Sequence, residues 1–324
     1  MKTKLTRILS LALATIMCLS TFALTSCSKK EEKFVVGVCQ LVAHEALDAA
    51  TEGFIQALKD ELGEENVEFI VQNGAGSPDT CATIANTFVS QNVDLIMANA
   101  TPALQAVANA TLTIPVLGTS VTEYGTALEI DNFSGTVGGN ISGTSDLAPL
   151  DQQAKMIKDL FPSAQKVGIL FCSSEVNSVY QVKVVKEELA KMGLTAVEYS
   201  FADSNDVAMI AQKAAAECDV LYIPTDNTAA SCAETIYGAM TTPKPIICGE
   251  EGSCKGCGVA TLSINYYDLG YTTGKMAAKI LKGEADISTM PIQYADIFTK
   301  KYNPVICEAL GITPPADFEA IALD

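Results

Sequence analysis

The residues of this chain able to hold a small charged molecule fall in short clusters, each just after a run of strand-forming residues. Leu41-Val42-Ala43-His44-Glu45 follows the first run, Asn99-Ala100-Thr101-Pro102-Ala103 the third and Thr119-Ser120-Val121-Thr122 the fourth. The last two place hydroxyls and free backbone N–H groups at or near a helix start, a setting suited to a carboxylate. Thr101 before Pro102 would serve equally well as an ordinary helix cap. Farther on, Ser173-Ser174-Glu175-Val176-Asn177-Ser178 and Pro224-Thr225-Asp226-Asn227 follow strands and open helices, and Gly249-Glu250-Glu251-Gly252 follows another strand. A carboxylate at a strand end can hold an ammonium group. Otherwise Asp226 and Glu250 are solvated loop acids or, for Asp226, a cap. His44 is the only histidine, so sites built on several histidines and His-based proton relays lack partners. It is either a helix-start residue bonded to backbone or a donor or stacking group lining a cleft.

No pair of residues is spaced like a catalytic dyad or triad, and there is no Gly-x-Ser-x-Gly, Walker A or dinucleotide fingerprint. Cys254-Lys255-Gly256-Cys257 is a lone C-x-x-C without the second pair that structural zinc needs. It reads as part of a Gly-rich loop leading into a strand, not as the helix start of a redox motif. Loop cysteines or a local disulfide is the reading preferred. The chemistry is that of a binding protein, with no catalytic step, cofactor or metal.

These clusters need elements to carry them. Strand-type runs at 34–40, 67–72, 93–98 and 114–118 alternate with helical periods at 45–62, 79–91 and 102–110. Ser77-Pro78-Asp79 opens the second helix with a capping serine and a proline in the first turn. A Gly-rich, turn-prone passage at 135–143 follows. The pattern then restarts: helices at 151–160, 176–192, 207–216, 228–240 and 266–281, strands at 166–172, 194–201, 220–224, 245–249 and 260–264. The register predicts two α/β lobes of similar size, each a doubly wound parallel sheet. Ligands of such sheets bind beyond the carboxyl ends of the strands, where the clusters lie.

The N-terminus reads as a bacterial lipoprotein export signal. Lys2, Lys4 and Arg7 precede an apolar run over 8–24, and Leu24-Thr25-Ser26-Cys27 is a lipobox ahead of the polar tether 28–33. Lipidation of Cys27 would hold the mature protein on the outer face of a membrane without spanning it. Removing residues 1–26 takes away three basic and no acidic residues, which moves the formal charge from −17 to −20. Such acidity repels phosphate backbones and anionic lipid, so nucleic acid is excluded as a partner. Nine cysteines remain beyond Cys18 and Cys27. They are read as mostly buried thiols, since most fall inside strand-like or helical runs.

Several motifs in order resemble one family. They are Val36-Gly37-Val38 through His44-Glu45-Ala46-Leu47-Asp48-Ala49-Ala50, Ala100-Thr101-Pro102-Ala103, Ser174-Glu175-Val176-Asn177-Ser178, the stretch 220–227 (VLYIPTDN), Ile264-Asn265-Tyr266-Tyr267-Asp268-Leu269-Gly270 and 275–283 (KMAAKILKG). Over residues 34–313 the chain resembles the periplasmic-binding-protein type I receptors of ABC importers, in the lipoprotein branch that includes tryptophan/tyrosine-import receptors. The resemblance implies a hinge of several crossing strands, with a signal at 1–26, a lipidated tether at 27–33, a first lobe of 34–145 plus 263–287 and a second of 146–262 plus 288–324. It implies a monomer that delivers a small amino acid, aromatic or large apolar, to ABC permease subunits. Mapped by motif, Thr101, Ser120 and Thr122 would hold the carboxylate. Glu250, with Asp226 next in line, would hold the ammonium group. Val42, His44, Ser174, Asn177 and Tyr266 would shape the side-chain pocket. A nucleoside or other heterocyclic ligand, and a sensory rather than transport role, are the alternatives.

Overall fold

A computed structural model describes residues 33–323 of the chain. The export signal and Cys27 lie outside these residues. The strands β1 (Phe34–Gln40), β2 (Val67–Asn73), β3 (Leu95–Asn99), β4 (Val116–Val121), β5 (Ile141–Ser145) and β11 (Gln293–Tyr294) form the first sheet, in the order β11-β5-β4-β3-β1-β2. All its pairings are parallel. Helices α1 (Glu45–Leu62), α2 (Pro78–Gln91), α3 (Thr101–Ala110) and the single turn α4 (Tyr124–Ala127) belong to this half. Its central strands are apolar on both faces, with Val36, Val38, Leu95 and Met97 fully buried, as a sheet covered on both sides requires.

The second sheet holds β6 (Lys166–Cys172), β7 (Thr195–Phe201), β8 (Val220–Ile223), β9 (Ile246–Cys248), β10 (Ala260–Ser263), β12 (Thr299–Tyr302) and β13 (Glu319–Ala320), in the order β13-β12-β10-β9-β8-β6-β7. Only β12 runs antiparallel to its neighbour β10. Its helices are α5 (Leu150–Leu160), α6 (Val176–Lys191), α7 (Val207–Glu217), α8 (Asn227–Ser231), α9 (Ala233–Ala239), α10 (Glu251–Cys257) and α12 (Pro304–Ala309); α11 (Tyr266–Leu281) returns to pack on α1.

The structure departs from the sequence reading in four places. The passage at 135–143 ends in β5, a buried strand whose Ser142, Thr144 and Ser145 break the apolar pattern. Its hydroxyls are satisfied internally: Thr144 Oγ1 lies 3.2 Å from Thr119 Oγ1 and 2.8 Å from Thr273 Oγ1, and Ser142 Oγ donates to the Met290 carbonyl at 3.0 Å. The helix expected over 228–240 is broken at Cys232 into α8 and α9. The loop expected around Cys254 and Cys257 is the helix α10, capped by Glu250. Finally, residues 288–324 do not all join the second sheet, because Gln293–Tyr294 pairs with β5. The chain therefore crosses between sheets after β5, after β10 and between β11 and β12.

Glycines let α1 and α11 touch along their backbones. A Cβ on Gly270 would overlap the Ala50 carbonyl, and one on Gly53 would overlap that of Tyr267. This contact fixes the start of α1, with His44, relative to the start of α11, with Tyr266. Gly270→Ala is expected to lower the urea midpoint of unfolding by an amount corresponding to roughly 1–3 kcal/mol, because backbone cannot yield as a flexible side chain does. An unchanged midpoint would contradict the close packing.

Candidate functional site

The carboxyl ends of the two sheets face each other and are in contact. His44 Nε2, ahead of α1, lies 3.4 Å from Asn227 Oδ1 at the start of α8. Lys255 of α10 reaches Glu45 of α1 at 3.4 Å, and the Tyr266 hydroxyl donates to Asp146 Oδ2 at 3.0 Å. The cleft between the strand ends is closed.

On the first-sheet side two residues adopt backbone conformations that non-glycine residues avoid. Ala100 has φ of 90° and Ser120 of 53°. They sit side by side, since Asn99 pairs with Thr119 and the Ala100 N–H donates to the Thr119 carbonyl at 3.0 Å. Ser120 lies within a register shift between β4 and β5 that re-aims the strand end. Such strain persists where the surroundings impose it and clusters at ligand sites. Here it presents the Ser120 and Thr101 hydroxyls, both buried and neither with a hydrogen-bond partner in the protein. Thr101 and Ala103 in the first turn of α3 add backbone N–H groups that the helix itself cannot satisfy. Thr122, expected beside them, instead has its side chain near the Asp146 carboxyl, where it favours the charged form. Val42 is half-buried against the first-sheet core.

Where the chain first crosses between sheets stands Asp146, only 4% exposed. One carboxyl oxygen takes the Tyr266 hydroxyl, while Oδ1 has no partner. Burial pushes its pKa up to about 6 against those hydrogen bonds, with the nearby Glu250 charge adding to the rise. Burial also drives the Tyr266 phenol well above its ordinary value, helped by Asp146 and Glu250. The Glu250 carboxylate caps its own helix, accepting from the Gly252 N–H at 2.6 Å and from the Ser253 N–H and hydroxyl.

On the second-sheet side Asp226 is likewise a cap. It accepts from Ala229 N–H at 2.8 Å and Cys172 N–H at 2.6 Å. Burial, then the Glu175 charge, raises its pKa to about 7. Glu175, also buried, accepts from the backbone and side chain of both Asn227 and Thr228 and from Asn177 Nδ2. Asn177 Oδ1 has no partner. Ser174 is not brought in: it is exposed, and its hydroxyl donates to the Ala202 carbonyl at 2.8 Å.

Asp146, Glu175, Asp226 and Glu250 are thus four buried carboxyl groups, and no lysine or arginine is buried among the described residues. A buried charge left unpaired is costly; the oxygens of Glu175, Asp226 and Glu250 meet N–H or hydroxyl donors, whereas Asp146 Oδ1 meets none. Asp146 and Glu175 carry no role in the sequence reading. Glu175 stood inside a quoted motif, but Asp146 followed a segment not recognised as a strand.

The nine described cysteines are all unpaired, eight of them buried. The Cys254–Cys257 disulfide is not formed. Both thiols are buried beside Cys248: burial raises the Cys254 thiol against a lowering contact with Cys248, while the Cys248 contact and then burial raise Cys257 well above its ordinary value. They are protonated and inaccessible, which suits packing and not exchange. No group of three or more His, Cys, Asp or Glu among the described residues is arranged to hold a metal ion, and no described helix is long and apolar enough to cross a membrane.

A family model described as ABC transporter substrate binding protein matches residues 35–323. A tyrosine-binding protein of Clostridioides difficile is 36% identical over 272 residues, spanning 83% of this chain and 78% of that protein. The structure of an ABC domain from Streptococcus pneumonia in complex with L-Trp superposes with a TM-score of 0.85 at 31% identity, covering 90% of this chain and 100% of that one. A ligand-free, open structure of a substrate-binding protein with adhesive properties from Clostridium difficile gives 0.68 at 36% identity and the same coverage. The better superposition goes with the lower identity. The structure with L-Trp bound thus superposes better than the ligand-free, open one.

Proposed function

The chain belongs to the family of ABC transporter substrate-binding proteins, and on that premise we propose that it captures an aromatic α-amino acid between its two sheets for import. One observation carries the reading. Three buried atoms along the strand ends of the first sheet have no hydrogen-bond partner: Oδ1 of Asp146, whose backbone N–H donates to the Val121 carbonyl at 3.3 Å, and the hydroxyls of Thr101 and Ser120. A zwitterion can be buried only if both its charges are paired. Thr101, Ser120 and the first-turn N–H groups of α3 would take the carboxylate. Asp146, held by Tyr266 and reinforced by the Glu250 charge, would take the ammonium group. This moves the ammonium partner from Glu250 and Asp226, whose oxygens cap helices, to a residue with an oxygen to offer. The side chain would lie toward Val42, His44 and Asn177. The relatives that bind tyrosine and tryptophan support an aromatic ligand.

The same reading has a monomer without catalytic step or cofactor, exported by the signal at 1–26 and held on the outer face of the membrane through a lipid on Cys27. Closure of two lobes over the ligand is then the state an ABC permease would read. A thermal-shift screen of residues 28–324 against amino acids and nucleosides tests it. A ligand bound only by the native state stabilises by about 2.7 kcal/mol at a hundredfold excess over Kd. Shifts with L-Tyr or L-Trp are expected. Shifts confined to nucleosides, or none from protein refolded to strip any bound ligand, would refute the amino-acid reading.

A further inference from the structure

Resting on that amino-acid reading, the network at the second-sheet end of the cleft narrows the side chain further. Asn227 Nδ2 donates to Glu175 Oε2 at 2.6 Å. Asn177 Nδ2 donates to the same oxygen at 3.3 Å and to the Thr225 carbonyl at 3.2 Å. Carboxylates and carbonyls only accept, so turning over either amide would set oxygen against oxygen. The Asn227 oxygen therefore faces His44, whose Nε2, 3.4 Å away, supplies the N–H of that pair. Two buried atoms of this network make no hydrogen bond in the protein, Asn177 Oδ1 and His44 Nδ1. Both are acceptors, the first by its amide's orientation and the second because the ring proton sits on Nε2.

An amino acid's carboxylate has no donor to offer these atoms, and its ammonium group is matched at Asp146. The side chain is the part that remains. We propose that Asn177 Oδ1 and His44 Nδ1 receive a hydrogen-bond donor carried on the ligand's ring, so that the cleft selects a phenol O–H or an indole N–H and rejects a plain phenyl ring. A phenyl group would leave both acceptors buried without partners, and sites built to bond a ligand OH or NH discriminate strongly for that reason. The selecting groups come from opposite sides of the cleft, so the selection is complete only when it closes.

Calorimetric titration of the full mature protein with L-Tyr, L-Trp and L-Phe tests this, alongside Asn177→Ala and His44→Ala. The better of L-Tyr and L-Trp is expected to bind at least about tenfold more tightly than L-Phe. Each variant should narrow that ratio severalfold, chiefly by weakening the two ligands with a ring donor. His44 makes no side-chain cap to α1, so His44→Ala keeps the test open should Asn177→Ala fold poorly. L-Phe binding as tightly as both others, or a ratio unmoved in both variants, would overturn the inference alone. Failure of all three to bind would overturn it together with the amino-acid reading.

Discussion

Asp146→Asn is expected to weaken binding of the cleft's amino acid by roughly 2–5 kcal/mol, about 30- to 5,000-fold in Kd. The substitution keeps the size of the side chain and an acceptor for the Tyr266 hydroxyl. It removes the charge that, in the proposed reading, would face the ligand's ammonium group, and would leave that group buried without its partner. Unliganded, the variant should be no less stable than the parent, because the buried carboxyl is itself a burden there: only one of its oxygens receives the Tyr266 hydroxyl. Loss of affinity without loss of stability separates a binding role from a structural one. Glu250→Gln should show the opposite balance, since Glu250 holds the start of α10 and losing a cap costs about 1 kcal/mol of stability. Calorimetry and urea unfolding on both variants check this. An unchanged Kd in Asp146→Asn would return the ammonium site to Glu250.

The unliganded protein is expected to lose stability as pH rises from about 4 to 7, the reverse of ordinary acid denaturation. Burial first, then the Glu250 charge, raises Asp146 to about 6. Burial first, then the Glu175 charge, raises Asp226 to about 7. A carboxyl whose folded pKa lies above its ordinary value near 3.8 binds its proton more tightly in the folded state. Its contribution is fully present below about 4 and is lost as pH climbs to the folded value. For Asp146 the window is about 4 to 6, and the loss amounts to roughly 3 kcal/mol. For Asp226 the window extends to about 7. A ligand ammonium beside Asp146 favours its charged form, so saturating ligand should flatten that part of the slope and Asp146→Asn should abolish it. The Asp226 part should survive both. By the same linkage, Kd should rise as pH falls through 6. Urea unfolding at intervals between pH 4 and 8 checks the sign, and stability rising steadily across the window would contradict it.

Much of this protein was legible from its residues alone. Apolar runs of strand length followed by helical periods gave the alternation, because both signals arise between residues a few positions apart. Ser77-Pro78 opened its helix as expected, with Ser77 Oγ accepting from the Thr80 N–H. The order of motifs along the chain announced the family. Strand-end position brought His44, Thr101, Ser120 and Asn177 forward as candidates, since the ends of parallel strands are where loops converge, and the family resemblance added Tyr266.

Tertiary structure decided the roles. β5 was invisible as a strand because a row of buried hydroxyls has no hydrophobic period, and their partners, Thr119, Thr273 and Met290, come from other elements. Asp146 was hidden with it. Nothing local marks Glu250 and Asp226 as having their oxygens occupied, or Asp146 as having one to offer. That depends on where helix starts and tyrosines fall when the chain crosses between sheets. Ser174 reads like its neighbour Asn177, yet the fold turns one to Ala202 and the other inward. His44 and Asn227, 183 residues apart, meet only because the sheets close on each other. Local chemistry selects which residues can bind, whereas burial and long-range hydrogen bonding select which of them have an atom left to do so.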